Sequence, residues 1–410
     1  MVQVSETLRS EELIALEDRF GANNYHPLDV VIEHAEGVWV TDVDGKRYMD
    51  CLAAYSAVNQ GHRHPRLVAK LKEQAERVTL TSRAFRNNQL GPFLKRLCEV
   101  SGYEQALPMN TGAEAVETAI KAVRKWGYDV KGVPADRAEI LVFDGNFHGR
   151  TTTIISFSSE ALYRDGFGPM TPGFTLLPYG DLDAVRAAMN ENVVGILVEP
   201  IQGEAGVVVP PDGFMRGLRE LCDDHGAALM ADEIQTGLGR TGRLFACEWD
   251  GVRPDVMIVG KALGGGVYPV SAMLADREIM GVFTPGTHGS TFGGNPTGAA
   301  VGLAALDVIM EEKLHERAAE LGAWFMDELR QIESPVIDHI RGRGLMVGVV
   351  LNTAARPYCE ALKKRGMLAK ETHENVVRFA PPLVIEKAEL EAVLPDITEV
   401  LSHEPAAIPA

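Results

Sequence analysis

Six short apolar runs between residues 139 and 276 constrain this chain more than any other feature. "EILVFD" (139–144), "TTIISFS" (152–158), "GILVEP" (195–200), "AALMADE" (227–233), "VMIVGK" (256–261) and "SAMLAD" (271–276) each read as a buried strand. Segments with helical periodicity separate several of them, as in Phe214, Leu218, Leu221 and Cys222. Apolar strands alternating with helices imply a mostly parallel sheet covered on both faces, an α/β class. In such a sheet, ligands gather beyond the C-terminal ends of the strands. Asp144, Glu199, Asp232, Glu233 and Lys261 all fall at those ends.

The 410 residues, 46% of them hydrophobic, suffice for two or three domains and a large core without a disulfide or metal staple. Beyond about residue 302 the texture shifts to longer helices, then "GLMVGVVL" (344–351), a helix near 355–365 and "VVRFAPPLVI" (376–385). The expected division is an N-terminal segment (1–48, with a helix at 10–20) packing on a smaller α+β domain (302–402). A large ligand-binding domain (49–301) lies between them, and residues 403–410 form a tail.

A net charge of −17, with no long basic run, argues against a nucleic-acid groove or an anionic membrane surface. Small anionic substrates remain open, because single arginines capture them. The five cysteines are scattered with no metal-type spacing, which suits reduced thiols. The first twenty residues are acid-rich, without the features of a signal or transit peptide, and no stretch approaches a membrane span. The expectation is a cytoplasmic protein.

"GLGRTG" (237–242) matches the dinucleotide fingerprint G-x-G-x-x-G but lies several residues past its strand and precedes no convincing helix. The fingerprint works only in a strand-to-helix turn, so the segment reads as a glycine-rich loop. "NTGAEAVETAIKAVRKW" (110–126) opens with a capping-box pattern at Thr111 and Glu114. It is a core helix whose start, at Gly112 and Ala113, can also hold a phosphate. Asp232 ends an apolar strand, as a solvated carboxylate or as a partner for a cationic ring nitrogen. Lys261 ends another and is followed by Gly264, Gly265 and Gly266, read as room for a flat cofactor. A free lysine amine, with a pKa of about 10.4, is a poor nucleophile unless burial or a neighbouring cation lowers it. Taken together, the helix start, the aspartate and the lysine are the parts that pyridoxal 5′-phosphate needs.

The order "NTGAEA", "FHGR", "EPIQGE", "ADEIQTGLGRTG", "GKALGGG", "STFGGNP" resembles the class-III pyridoxal-phosphate aminotransferases of fold type I. "FGANNYHPLDVVIEHAEGVWVTD", "YSAVNQGHRHP" and "VVRFAPPLVI" resemble the ornithine δ-aminotransferases among them. The resemblance implies a large, mostly parallel mixed sheet covered by helices and a smaller α+β domain. It implies that Lys261 holds the cofactor aldehyde and shuttles the proton, while Asp232 pairs with the ring nitrogen. Phe147 would stack on the ring, Gln235 would bond its phenolic oxygen, and Gly112 and Ala113 would hold the phosphate. Ser290 and Thr291 would reach the phosphate in a neighbouring subunit, implying a homodimer with shared sites, or a higher oligomer.

The implied reaction moves the δ-amino group of L-ornithine to 2-oxoglutarate, giving glutamate 5-semialdehyde and glutamate, a step in proline biosynthesis or arginine degradation. Tyr25 and Arg150 would receive ornithine's distant α-carboxylate, and Tyr55 would shape the pocket. Arg378 would take the α-carboxylate of glutamate, masked by Glu204 while ornithine reacts. N-acetylornithine and 4-aminobutyrate are the rival substrates. A non-catalytic dinucleotide-binding or scaffold protein is the reading from another class.

Overall fold

The computed structural model describes residues 9–408 and arranges them around three sheets. The first eight residues and the last two of the tail lie outside the described residues. After the helix Ser10–Phe20, the chain forms β1 (Ile32–Glu36), β2 (Trp39–Asp42) and β3 (Arg47–Asp50). The large sheet is built from β4 (Gln105–Met109), β5 (Glu139–Phe143), β6 (Phe174–Leu177), β7 (Val193–Val198), β8 (Ala228–Asp232), β9 (Val256–Val259) and β10 (Ser271–Ala275). The C-terminal part contributes β11 (Ile337–Arg343), β12 (Met346–Leu351), β13 (Met367–Leu368), β14 (Lys370–Thr372) and β15 (Val376–Phe379).

The large sheet runs β4-β10-β9-β8-β7-β5-β6. From β9 to β6 every pairing is parallel, and β10 alone runs against both its neighbours. This is the mostly parallel mixed sheet expected from the apolar runs. Alternate residues divide between its faces. Ile140, Val142, Leu197, Met230 and Ile258 pack with Val116, Ala119 and Val123 of the helix Gly112–Trp126. Leu141, Phe143, Ile196, Val198 and Leu229 pack with Phe214, Leu218 and Leu221 of the helix Phe214–His225. With both faces buried, neither face of the central strands has room for polar residues, so polar groups collect at the strand ends.

One expected strand is absent. Residues 152–155 form a single helical turn, Thr152–Ile155, capped by Thr151, whose hydroxyl accepts the Ile154 amide. Their β-branched composition favours a strand by at most about 1 kcal/mol. Burying Ile154 beneath the Gly112–Trp126 helix contributes about 1.5–3 kcal/mol, Ile155 is buried as well, and packing prevails. Conversely, β4 has Pro108 inside it and β6 is only four residues long and partly exposed, so neither stands out in the sequence as a buried strand. "VVRFAPPLVI" is strand only over Val376–Phe379, because Pro381 and Pro382 have no amide for a ladder.

β13 pairs in parallel with β3, and the amides of Met49 and Cys51 donate to Gly366 and Leu368. The N-terminal sheet and the C-terminal part therefore share a ladder. The expected boundaries at 48/49 and 301/302 fall inside β3 and inside the helix Pro296–Glu311. "GLGRTG" is a buried loop, as read, and centres on Arg240, which is fully buried. Its guanidinium donates to Asn59 Oδ1 (2.6 Å) and to the carbonyls of Leu345 (2.8 Å) and Pro381 (2.7 Å). No helix among the described residues is long and apolar enough to cross a membrane. All five cysteines are unpaired.

Candidate active site

A cavity of about 200 Å³ opens beyond the C-terminal ends of β7, β8 and β9, lined by Gly112, Phe147, Glu199, Asp232, Gln235 and Lys261 among others. Asp232 is the last residue of β8 and is 4% exposed. One of its oxygens accepts the Ile234 amide at 3.0 Å, and the other meets His148 Nδ1 at 2.7 Å. Burial alone would lower the pKa of His148, but the hydrogen bond and charge of Asp232 outweigh it and the net shift is upward. The Nε2 atom of His148 is buried without a partner. The pair is thus a carboxylate held by a proton-bearing imidazole, aimed into the cavity.

Lys261 follows β9, with a left-handed backbone (φ 44°). Among the described residues its amine makes no hydrogen bond or ion pair. Burial pushes its pKa down, and Arg378 pushes the same way, against the opposite pull of Glu204 and Asp232. Of the glycines that follow, Gly266 lines an open groove beside Lys261, but the space that a side chain on Gly265 or Gly266 would take is already occupied. A Cβ on Gly265 would lie 2.4 Å from Leu67, and one on Gly266 2.7 Å from Val58, so packed side chains already fill that space. Both glycines also have positive φ. They let the loop turn tightly under Lys261.

Across the cavity, Gly112 opens its helix with Thr111 as N-cap, and the Thr111–Glu114 capping box is present. The first amides of a helix, here those of Gly112 and Ala113, have no intrahelical acceptor. A Cβ on Gly112 would come within 2.9 Å of the Ile234 Cδ1 methyl, so the helix start and the segment after β8 pack closely. Phe147 lines the cavity, its amide donating to Glu199 Oε1 at 2.8 Å. Burial, more than the neighbouring carboxylate of Asp232, raises the pKa of Glu199 to about 7.

Glu204 and Arg378 form an ion pair of 2.7 Å at the rim, and Arg378 is 2% exposed. The same Glu204 oxygen accepts Gln235 Nε2 at 3.0 Å. Burial would raise the pKa of Glu204, but the Arg378 charge and the Gln235 hydrogen bond bring it below its ordinary value. The Tyr55 ring lies 5.0 Å from the Arg378 guanidinium. It projects from an unusual turn, Ala53–Ser56, in which four consecutive non-glycine residues have positive φ. Such residues cost on the order of 1 kcal/mol each and persist only where the surroundings over-determine them.

The other expected residues scatter. Arg150 is exposed and stacks on aromatic rings beside the cavity. Tyr25 is 77% exposed and lines neither the cavity nor its vestibule. Ser290 accepts Asn110 Nδ2 at 3.1 Å, and Thr291 is exposed; neither lines the cavity of its own chain. Of the strand-end acids, Asp144 is exposed, and Glu233 turns into the interior to accept the Cys247 amide and the Thr236 hydroxyl. His148 and Tyr163 were not among the expected site residues. The first directly follows Phe147 in the sequence, and the second carries no signal of its own.

The family model for "Aminotransferase class-III" matches residues 20–401. An ornithine aminotransferase 2 of Staphylococcus aureus is 58% identical over 392 residues, which cover 96% of this chain and 99% of the relative. A solved ornithine aminotransferase from Toxoplasma gondii, described with partial occupancy of PLP at its active site, superposes with a TM-score of 0.95. It is 45% identical, over 96% of this chain and 94% of that one. An acetylornithine aminotransferase from Elizabethkingia anophelis, 47% identical over 96% of this chain and 99% of its own, superposes with a TM-score of 0.88. Sequence, sheet order and the cavity beyond β7–β9 therefore converge, and the chain belongs to the class-III aminotransferases.

Proposed function

We propose that the protein is a pyridoxal-phosphate-dependent ornithine δ-aminotransferase, moving the terminal amine of L-ornithine to 2-oxoglutarate and releasing glutamate 5-semialdehyde and glutamate. The observation that carries this reading is the pair of arginines flanking the cavity, Arg378 neutralised by Glu204 and Arg150 left open. A substrate with two amines and one carboxylate needs its carboxylate kept away from the reacting carbon in one half-reaction. 2-Oxoglutarate needs a carboxylate held close to that carbon in the other.

The residues present fit the cofactor. The free amine of Lys261, the open amides at Gly112 and Ala113, and Asp232 at the end of β8 match an aldehyde, a phosphate and a ring nitrogen. Gln235, which donates to Glu204 through Nε2 and whose Oε1 is buried without a partner, lines the cavity where the cofactor's phenolic oxygen would lie. When bound, the cofactor supplies an aldehyde that condenses with amines and a ring that accepts electrons from the substrate carbon. Asp232, held by His148, would keep a proton on the ring nitrogen. Lys261, whose pKa burial lowers, would carry a proton at Nζ between substrate carbon and cofactor. Phe147 supplies a face against the ring and excludes water from one side. With ornithine, the Glu204–Arg378 pair stays closed and Arg150 receives the α-carboxylate, with Tyr55 shaping the passage and Tyr25, which lies outside the cavity but close enough to Tyr55 to raise its pKa, joining it when substrate binds. With 2-oxoglutarate, Glu204 leaves and Arg378 becomes the carboxylate site.

We further propose a homodimer in the cytoplasm. An open groove lined by Asn110, Thr111, Gly112, Lys261 and Tyr268 adjoins the cavity, and Phe292, next to Ser290 and Thr291, is 48% exposed. Ser290 and Thr291 of a second copy would close that groove over the phosphate. A second substrate reading has one specific support, the likeness to the acetylornithine enzyme. Steady-state comparison of ornithine, N-acetylornithine and 4-aminobutyrate tests the choice. Ornithine is expected to have the highest kcat/KM, and a lead for N-acetylornithine would reassign the rim. A monomer in sedimentation would remove the shared site.

A further inference from the structure

The Arg150 guanidinium sits 3.5 Å above the centre of the Tyr163 ring and 5.3 Å from that of Phe147. The two rings stand at 83° to one another, with centroids 6.3 Å apart. Arg150 therefore rests in an aromatic corner. Among the described residues it makes no hydrogen bond and no ion pair, although Glu160 and Glu204 lie close enough to influence the Tyr163 hydroxyl. The guanidinium's N–H groups lie in its own plane, and none of them is spent on a protein acceptor among the described residues. That leaves a complete fork free for a carboxylate.

Tyr163 reaches this place from the short turn Ala161–Arg164, whose N-terminal side is tied back by the Glu160 amide on Ser158 Oγ (3.2 Å). Tyr163 lines a second cavity together with Phe147, Glu204 and His373, next to the first and sharing Phe147 and Glu204 with it. The ring is thus at the mouth of the site, on the side from which a substrate's far end projects. An exposed arginine without such a platform samples many rotamers, and a carboxylate that binds it must first order it.

We propose that Tyr163 is a positioning residue that holds Arg150 ready for the α-carboxylate of the amine donor, and so sets selectivity for carboxylate-bearing diamines. The inference rests on the reading of Arg150 as that carboxylate's site. The two arginines are then prepared in opposite ways. Arg378 is kept out of use by a carboxylate, and Arg150 is kept in use by two rings.

The test uses the holoenzyme and single half-reactions, followed by the absorbance of the bound cofactor. Tyr163→Leu, which removes the ring, is expected to lower kcat/KM for ornithine about five- to tenfold, through KM rather than kcat. Tyr163→Phe, which keeps the face, should stay within about twofold of wild type. 1,4-Diaminobutane, which is ornithine without its carboxylate, and glutamate, which uses Arg378, should respond to neither substitution. An unchanged ornithine KM in Tyr163→Leu overturns the proposal. So does an equal loss on 1,4-diaminobutane, because the ring would then act without the carboxylate, or an equal loss on glutamate, because the site as a whole would be damaged. A wild-type enzyme with no preference for ornithine over 1,4-diaminobutane would instead refute the Arg150 reading itself, and the platform with it.

Discussion

The floor and the rim of the cavity are built on different principles. The floor, Asp232 and Lys261, stands at the ends of central strands whose neighbours are wholly buried, and Asp232 is fixed by two hydrogen bonds. The rim draws on a loop after β7 (Glu204), on β15 (Arg378), on the segment after β5 (Arg150) and on a left-handed turn (Tyr55). Side chains at the floor have one environment each. At the rim, the same type of side chain, arginine, is placed in two contrasting environments. On the proposed reading, the chemistry belongs to the strand ends of the large sheet, and the choice of substrate to the loops, the turn and the strand β15 around them.

That contrast can be broken at the floor first. Lys261→Ala should abolish turnover, a loss of at least about 10⁴-fold, and remove the visible absorption of lysine-bound cofactor. Residual activity within a hundredfold of wild type would mean that the proton is carried elsewhere. Asp232→Asn should follow, with a loss of about 10²–10³-fold for every amine tested, because the ring nitrogen loses its anionic partner. A substrate-dependent loss would blur the division between floor and rim.

At the rim the expected effects are smaller and selective. Glu204→Ala leaves a nearly buried guanidinium without its counter-charge, so the protein should melt at a lower temperature, having lost about 3–5 kcal/mol. Discrimination between ornithine's two amines should also fall, by about tenfold, read from the ratio of products. Unchanged regiochemistry would defeat the masking role.

The smallest effect concerns Glu199, which joins floor to rim through the Phe147 amide. Its carboxyl titrates at about 7 in the fold, against an ordinary 4.5, so the native state keeps a proton that the unfolded chain releases. Stability from this group is complete below about pH 4.5 and declines as the pH rises to about 7, by at most roughly 3 kcal/mol. In cofactor-free protein, Glu199→Gln should flatten the fall in melting temperature across that window. Parallel curves for the two proteins would assign the pH dependence to other groups.

Much of the floor was legible in the sequence, because buried strands are unbroken apolar runs and their terminal charges stand out against them. β5, β7, β8, β9 and β10 were found that way, together with Asp232 and Lys261. The run at 152–155 misled because β-branched residues suit a strand and a tightly packed helical turn alike. The glycines after Lys261 were ambiguous because a missing side chain can serve a ligand or a neighbour, and Leu67 and Val58 are remote in sequence. Tyr163 was invisible for a related reason. Nothing local marks an aromatic residue as the seat of an arginine thirteen positions earlier, and only the folded loop brings them together.

The fold also limits how the rim can change between its two substrates. Arg240, wholly buried, holds Asn59 near the N-terminal sheet and the carbonyls of Leu345 and Pro381 on either side of β12 and β15. A hinge between the C-terminal part and the sheet would have to pull apart hydrogen bonds to a cation that water cannot reach. On the proposed reading, alternation between donor and acceptor is expected to be a matter of rotamers within this frame, chiefly that of Glu204, whose side chain is 28% exposed while Arg378 is buried.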